Sequence, residues 1–332
     1  MRTPSQSQSE HHEFTVNKDE AGRRLDALLA RRFSTHSRNI LAKAIRDGKV
    51  AIVGLTASKI KPSLKVEAGM ALSVNVPVFE ETGAMAASDI DLPILFEDEH
   101  LVAFDKPAGL PTHAQRPDDP NSVASVMVAK YGRDLPRAPG DELRPGIIHR
   151  LDADTTGVIV CARTQPAFDN LKAQFRERGV HKTYLAIVLG VPHERTFSVT
   201  APLERDPQRP QAVRVNKTAG RPAHTDFEVI ESFEDAGMSL SQAKPLTGRT
   251  HQIRMHLLHA GHPVIADKLY GARTPVAVKK PDIAAAAIAK LSRHALHATS
   301  LEFTHPVTGA PMRLESPLPA DMAVALAILR KL

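Results

Sequence analysis

Two apolar runs enclose a short polar segment, IIHRLDADTTGV, at residues 147–158. It holds two carboxylates, Asp152 and Asp154, together with Arg150 and two threonine hydroxyls. Apolar runs of this length are typical of strands, and Gly157 permits tight backbone geometry. The sequence therefore predicts a loop between two strands, with Asp152 on it. A carboxylate fixed in such a loop can act as a nucleophile or as a general base.

Other segments are needed to decide between a catalytic loop and a structural turn. Taken alone, an aspartate between an arginine and a threonine most often marks a turn with a salt bridge. Three more segments carry basic, aromatic and histidine side chains in a fixed order: DKPAGLPTH at 105–113, KTYLA at 182–186 and GRTHQIRMHL at 248–257. The last of them is followed by GHP at 261–263 and DKLYG at 267–271.

These segments resemble the motifs of the RluA-type RNA pseudouridine synthases. The polar loop is similar to the HRLDxxTSG motif, with Thr156 where serine is usual. The other segments are similar to the KPxGLxxH, KxY and GRTHQIRxHL motifs and their sequel. One departure is Ala266, which stands where glycine usually precedes an aspartate, and we expect it to change a turn and not the chemistry. The resemblance implies an isomerase that converts specific uridines in RNA to pseudouridine.

The resemblance also implies which residues act on the uridine. Asp152 is the expected essential carboxylate, Arg254 is its partner, and Tyr184 stacks on the target uracil. A nearby guanidinium favours the ionised form of a carboxylate and orients it. An aromatic face can hold a rotating base without fixed hydrogen bonds. The expected substrate-binding residues are Arg150, which would hold open the gap left by the target nucleotide, Leu301 on the pocket floor, Lys106 and His113 at the pocket rim, and His149, Thr155 and Arg249.

Uridine isomerisation breaks the bond between N1 of uracil and C1′ of ribose, turns the base, and joins C1′ to C5. A carboxylate can attack carbon, remove a proton from the sugar, or offset positive charge on the ribose. The sequence leaves three routes open for Asp152: attack at C1′, attack on the base, and a glycal route. Because C1′ chemistry cannot take place inside a base stack, we expect the target nucleotide to be extruded.

Two other functions fit parts of the sequence. A non-catalytic RNA-binding protein would need only the basic N-terminal part, but the intact set of Asp152, Tyr184 and Arg254 argues against it. A carboxylate glycosidase would use Asp152 and Asp154 as its pair. Side chains two residues apart on one turn are poorly placed to flank a bond, and the chain has no tryptophan to line a sugar cleft. We therefore favour the isomerase, with large-subunit ribosomal RNA as the expected substrate and transfer RNA as the alternative.

The N-terminal part of the chain is predicted to bind RNA. Apolar spacing indicates one helix over residues 25–33 and a second from Ser37 to Gly48, followed by a strand at 49–53. This order resembles the small RNA-binding domain first described in ribosomal small-subunit protein S4. From Ala21 to Lys65, eleven Lys and Arg residues stand against two Asp, a bias that attracts polyanions. The expected RNA-binding side chains are Arg31, Arg32, Arg38, Lys43 and Arg46.

A chain of 332 residues exceeds what one core usually holds, which predicts two folded units. We expect a disordered tail over residues 1–13, an S4-like α/β RNA-binding domain over 14–80, a linker over 81–91, and the catalytic domain over 92–332. The tail is expected to be disordered because it is polar and has little to bury.

The catalytic part combines short β-like runs with a few helices, expected at residues 167–178 and 251–260. Because strands do not alternate regularly with helices, the pattern indicates an α+β domain with a mixed, largely antiparallel central sheet. The resemblance implies the pseudouridine synthase fold. The alanine-rich residues 283–291 are expected to form a short surface helix.

Composition excludes several other classes of protein. The apolar stretches are too short to cross a membrane and the N-terminus lacks a secretory signal, so we expect a cytoplasmic protein without a membrane partner. Cys161, the only cysteine, rules out an internal disulfide and is expected to be a core residue. The histidines within residues 251–262 lack the spacing of a metal site and are expected to be solvated or hydrogen-bonded. We expect a monomer with no metal and no cofactor.

Overall fold

The computed structural model describes residues 9–33, 38–77, 86–114, 116, 118–271 and 278–331. Its chain divides into two compact units. The smaller unit comprises Met1–Ala86 with two short segments, Gln115–Asp118 and Arg137–Arg144, and the larger unit holds the remainder. The main division, between Ala86 and Ala87, falls inside the segment predicted as a linker.

The smaller unit packs two helices against an antiparallel sheet. Its elements are β1 (Ser9–Thr15), α1 (Leu25–Arg32), α2 (Arg38–Arg46), β2 (Val50–Ile52) and β3 (Ala71–Pro77). Strand β3 lies between β1 and β2. Leu25, Leu28 and Leu41 on the helices and Val74 on β3 belong to one buried core, as their helical and alternating spacing requires. Both predicted helices and the strand after them are confirmed.

Strand β1 shows that the predicted tail is too long. The sequence predicts disorder over residues 1–13, but residues 9–13 pair with β3, from Ser9 opposite Pro77 to Glu13 opposite Ser73. The ladder joins backbone groups, which the polar side chains of this segment do not reveal. Phe14 and Val16, just beyond, anchor the strand in the core. Residues 1–8 lie outside the described part of the chain.

The larger unit is an α+β domain. Its elements are β4 (Ile94–Glu97), β5 (Leu101–Lys106), α3 (Val123–Tyr131), β6 (Thr156–Ala162), α4 (Gln165–Glu177), β7 (His181–Leu189), β8 (Thr196–Thr200), β9 (Leu203–Arg205), β10 (Val213–Val215), β11 (His224–Phe233), β12 (Met238–Pro245), α5 (Gln252–His259), α6 (Pro281–Ile288), β13 (Leu296–Thr304), β14 (Pro311–Glu315) and α7 (Ala320–Leu329). Within the described residues, nine strands form one sheet in the order β4-β5-β6-β13-β7-β12-β11-β8, with β14 paired to β13. Strands β9 and β10 pair separately. A mixed, largely antiparallel sheet is confirmed.

The parallel pair of β6 and β13 brings the polar loop against the segment that leads into β13. His297 lies opposite Thr156, and Ala298 lies opposite Gly157. Gly157 has φ +113°, and a Cβ there would lie 2.1 Å from the carbonyl oxygen of Ala298, closer than any side chain can approach. Glycine at this position therefore permits the close approach of the two strands.

Helix α6 is confirmed as a helix, but it is more than a surface element. Ala284 and Ala287 are fully buried in the main core, together with Met322 and Leu326 of α7. Small alanine side chains allow the two helices to lie close together. Cys161 is buried on β6, as predicted. Among the described residues, every helix is too short or too polar to span a bilayer.

Candidate active site

Asp152 lines a cleft of about 570 Å³ in the larger unit. The loop before β6, strand β7 and the segment that leads into α5 form its walls, and Leu296 at the start of β13 contributes an apolar side chain. Of the residues predicted from the sequence, seven line this cleft: His149, Arg150, Asp152, Thr155, Tyr184, Arg249 and Arg254.

Arg254, on α5, holds two carboxylates at once. Its Nη1 donates to Oδ2 of Asp152 at 2.9 Å. Its Nε and Nη2 donate to the two oxygens of Asp267 at 2.7 and 2.8 Å, in the paired geometry that suits a guanidinium. The Asp267 side chain is 1% exposed and that of Arg254 6%, whereas Asp152 is 17% exposed. The cluster thus presents Asp152 to the cleft and keeps its other two members buried.

The three charges of this cluster leave one net negative charge. Burial disfavours the charged form of Arg254, but hydrogen bonds and charge from Asp267 and then Asp152 raise its pKa above the ordinary value. Burial likewise opposes ionisation of Asp267, yet Arg254 holds the pKa of that carboxyl below its usual range. Arg254 and Asp267 therefore neutralise each other, and the remaining charge lies on Asp152.

Asp267 follows a residue in an unusual backbone conformation. Ala266 has φ +57°, in the left-handed region that favours glycine. Ala266 therefore adopts a backbone conformation that glycine adopts more easily, and the difference at this position is the residue type. The turn still places Asp267 against Arg254. The role of Asp267 was missed from the sequence, although it lies in the DKLYG segment.

Tyr184 lines the cleft from strand β7, between Ala243 of β12 and Ala298 of β13. Burial, and then the charge of Asp152, raise the pKa of Tyr184 above its ordinary value. The phenol is therefore protonated at neutral pH. In that form it offers an aromatic face and a hydrogen-bond donor, but no phenolate base.

His251 lies beside Asp152 and was not among the predicted site residues. It precedes α5 with φ 51° and ψ 24°, a left-handed conformation that is rare for a non-glycine residue. A hydrogen bond of 2.8 Å joins its Nδ1 to the hydroxyl of Tyr270, which also accepts the N–H of Val213 at 2.9 Å. Its Nε2 lies 3.9 Å from Oδ2 of Asp152. Burial lowers the pKa of His251, so the imidazole is neutral at neutral pH.

Other histidines of this region are hydrogen-bonded, as predicted. His256 bonds the hydroxyl of Thr225 at 2.9 Å and the carbonyl of Ala201 at 3.0 Å. His262 bonds the carbonyl of Leu189 at 3.2 Å. These contacts fix α5 and the turn after it against the sheet.

Buried donors hold the backbone of the Asp152 loop. Lys106 is fully buried, and its Nζ donates to the carbonyl of Ala153 at 2.7 Å and to two carbonyls of its own turn. Burial lowers the pKa of Lys106 to about 7. The hydroxyl of Thr112 donates to the carbonyl of Leu151 at 2.9 Å and accepts its N–H at 3.1 Å. The prediction that Lys106 lies at the pocket rim is therefore wrong, because it supports the loop from beneath.

The segment that leads into β13, together with the start of that strand, holds the other half of the loop and the start of β6. Arg293 is paired with Asp321 and donates to the carbonyl of Asp154 at 3.2 Å. His294 bonds the hydroxyl of Thr155 at 2.8 Å, and burial lowers the pKa of His294 to about 4. His297 bonds the hydroxyl of Thr156 at 2.9 Å. These supports were missed because they come from a segment with no recognised motif, more than a hundred residues along the chain.

Two further predictions about the pocket are wrong. Leu301 packs with Val160 and Leu171 in a separate core, because a bulge between Ala298 and Ser300 changes the register of β13. Leu296 provides the apolar contact in the cleft instead. His113 is half-buried and is not among the described residues that line the cleft.

The mouth of the cleft is basic. Arg150, Arg176, Arg178, Lys182 and Arg249 all line it. Burial, and then the nearby charges of Arg221 and Arg178, lower the pKa of Arg249, so like charges crowd together here. Such crowding is relieved by a polyanion, which makes the mouth suited to a nucleic-acid backbone.

His149 supports this wall of the cleft. Its Nε2 accepts the N–H of Val160 at 2.9 Å, and its ring stacks on Phe175 of α4 with centroids 4.8 Å apart. Burial lowers the pKa of His149 to about 3, so the ring is neutral. Its role is to position the start of the loop beside Arg150.

The predicted RNA-binding residues of the smaller unit differ in what they contact. Arg32 donates to Glu20 and lies 4.3 Å above the ring of Phe14, so it has a structural role, and its RNA-binding role stays a prediction. Lys43 pairs with Asp47 at 2.7 Å and remains 75% exposed. Arg46 bonds the carbonyl of Ala42 on its own helix, and Arg31 is exposed. The side chain of Arg38 lies outside the described residues.

The chain is similar to known proteins over most of its length. A model of the RNA pseudouridylate synthase family matches residues 100–259, which include Asp152, Tyr184 and Arg254. Ribosomal large subunit pseudouridine synthase D of Pseudomonas aeruginosa is 37% identical over 310 residues, which are 93% of this chain and 93% of that protein. The protein of the same name from Nitrosomonas europaea is 39% identical over 328 residues, or 99% and 90%. The solved structure of human RNA Pseudouridylate Synthase Domain Containing 4 is 26% identical, with a TM-score of 0.55, over 71% of this chain and 92% of that one.

Proposed function

The chain belongs to the RNA pseudouridylate synthase family, an isomerase family that acts on RNA, and from this premise we propose that it converts specific uridines of large-subunit ribosomal RNA to pseudouridine, with Asp152 as the catalytic carboxylate. The observation that carries the assignment of Asp152 is its 2.9 Å contact with Arg254 inside a cleft with a basic mouth. The target is supported by the names of relatives that span nearly the whole chain.

The site supports the reaction through positioning and charge. Arg254 orients the Asp152 carboxylate, so that it can engage the sugar or the base of an extruded nucleotide. Tyr184 offers an aromatic face and Leu296 an apolar side chain against which a uracil can pack. The arginines of the mouth, Arg150 and Arg249 among them, bind the phosphates.

Two uncharged side chains accompany the Arg254 cation near the Asp152 carboxylate. Tyr184 is protonated, and His251 is neutral beside Asp152. Proton removal at C5 by a Tyr184 phenolate is therefore disfavoured, and Tyr184 serves as a stacking surface and donor. We propose a cytoplasmic monomer as the active form.

Mapping of pseudouridines tests the substrate. RNA from cells with and without this protein is compared, and the purified chain is incubated with unmodified large-subunit ribosomal RNA and, separately, with transfer RNA. We expect pseudouridines that depend on the protein in large-subunit ribosomal RNA alone. Modification confined to transfer RNA would contradict the ribosomal assignment while leaving the isomerase intact.

A further inference from the structure

A second cleft, of about 690 Å³, borders the first. Both clefts are lined by Arg178, Lys182, Pro245 and Leu246, which form a ridge between them. The chemistry assigned to Asp152 makes no use of this second cleft. It lies at the end of the sheet where β7, β12 and β13 meet, with Lys244 next to the ridge.

The lining of the second cleft is basic. It includes Arg178, Lys182, Lys244 and Arg313 against one acidic side chain, Glu302. Arg313 bonds Glu302 at 3.0 Å and Glu315 at 2.6 Å. The remaining positive charge is carried by Arg178 and Lys182 on the ridge and by Lys244 next to it. A row of positive charge that leads away from a site acting on RNA provides a path for the phosphate backbone.

The ridge is fixed, and it carries an exposed leucine. Leu246 is 42% exposed, and its N–H donates to the carbonyl of His224 at 3.0 Å. The carbonyl of Thr247 accepts a hydrogen bond from Nζ of Lys182. The hydroxyl of Thr247 donates to Oε1 of Gln252 at 2.7 Å. Gln252 in turn donates to the carbonyl of His224 at 2.9 Å. Because the backbone on both sides is held, the leucine remains presented to the clefts.

We propose that the second cleft holds the RNA strand next to the target uridine, with Arg178 and Lys244 on its phosphates, and that Leu246 is a wedge between the target nucleotide and its neighbour. Apolar side chains inserted at a base step stabilise its unstacked form. A base moved into an active site leaves its stack, and a wedge at the mouth opposes its return. This inference rests on the function proposed above.

Replacement of Lys244 tests the second cleft. The probe is the shortest ribosomal RNA fragment that the wild type modifies, and its dissociation constant is measured over a series of salt concentrations. Lys244→Gln is expected to weaken binding and to reduce the slope of log affinity against log salt by about 0.7 to 1. Lys290→Gln removes the same charge from an exposed position outside both clefts and is expected to keep the wild-type slope. A wild-type slope for Lys244→Gln overturns the cleft assignment.

Replacement of Leu246 tests the wedge. Leu246→Ala is expected to lower kcat/KM about tenfold for a uridine in a paired stem, the size of one lost base stack, and to spare the same uridine in a single strand. Leu246→Met keeps an apolar side chain of similar size and should retain the rate, as should Val324→Ala, which shortens an exposed valine on α7. An unchanged rate of Leu246→Ala on the paired uridine overturns the wedge.

The outcomes separate this inference from the function on which it rests. If the wild type modifies no ribosomal RNA fragment, the proposed function fails and this inference fails with it. If the wild type is active and both Lys244→Gln and Leu246→Ala match it, only this inference fails.

Discussion

The Asp152 loop and the basic helices of the smaller unit use their charged residues in opposite ways. Around the loop, Lys106 and Arg293 are buried and hold backbone carbonyls, so that the partly exposed Asp152 carboxylate has a fixed position. On the helices, Lys43 pairs with a neighbouring carboxylate at the surface. A charge that is buried and hydrogen-bonded specifies geometry, whereas a charge on a solvated face contributes to the field around the protein.

Removal of the central cation is expected to have the largest effect. Arg254→Gln should lower the free energy of unfolding by about 3–5 kcal/mol, because Asp267 is left buried without its counter-charge. The double variant Arg254→Gln/Asp267→Asn should recover much of this loss, as measured by chemical denaturation. It should remain inactive, since Asp152 still lacks its partner. Wild-type activity in the double variant would mean that the loop geometry does not depend on this cation.

The next effect concerns Lys106 and depends on pH. Folded Lys106 loses its proton near pH 7, whereas an unfolded lysine keeps it to about 10.4. The unfolded state thus binds more protons between these values, so the free energy of unfolding should rise with pH across this window. Lys106→Met should reduce this rise of the free energy of unfolding with pH. It should also lower the free energy of unfolding at pH 7 by about 1–3 kcal/mol, because carbonyl oxygens lose their donor. Denaturation of both proteins at several pH values measures this, and identical pH dependence would contradict the buried-donor account.

Two adjacent arginines allow a direct comparison within the smaller unit. Arg32→Gln should lower the free energy of unfolding by about 1–2 kcal/mol, because it leaves the buried Glu20 without a cation. Arg31→Gln should change stability by less than about 0.5 kcal/mol and reduce the salt dependence of RNA binding instead. Denaturation and salt-titrated binding of the two variants check this. The reverse pattern would contradict the assigned roles.

The smallest expected effect is at the turn before Asp267. Ala266→Gly should raise the free energy of unfolding by up to about 1 kcal/mol, because glycine adopts φ +57° without the strain that alanine bears. The greater conformational freedom of glycine in the unfolded state offsets part of this gain in the free energy of unfolding. Activity should not change, and thermal denaturation together with an activity assay tests both statements. A loss of activity would show that the alanine shapes the site.

The sequence predicted the centre of the site better than its supports. Asp152, Tyr184 and Arg254 lie in ordered motifs, and the cleft brings them together. The contacts of His294 and Arg293 depend on the parallel pairing of β6 with β13, which no local pattern reports. Leu301 was misplaced because a bulge interrupts the alternation of β13.

The fold shows the same limit. Elements with a clear apolar pattern were predicted, because the helical spacing of α1 and the continuous apolar run of β6 are visible in the chain. Strand β1 was missed because its pairing uses backbone groups behind polar side chains. The role of Arg32 was missed because a count of charges does not distinguish a buried pair from an exposed cation.

Pseudouridine formation by Asp152→Asn, compared with Asp154→Asn, tests the central claim most directly. Both changes remove one carboxylate from the same loop, and both variants are assayed on large-subunit ribosomal RNA after folding and RNA binding have been verified. We predict that Asp152→Asn folds and binds RNA but forms no detectable pseudouridine, and that Asp154→Asn stays active. Sustained product formation by Asp152→Asn would contradict the account.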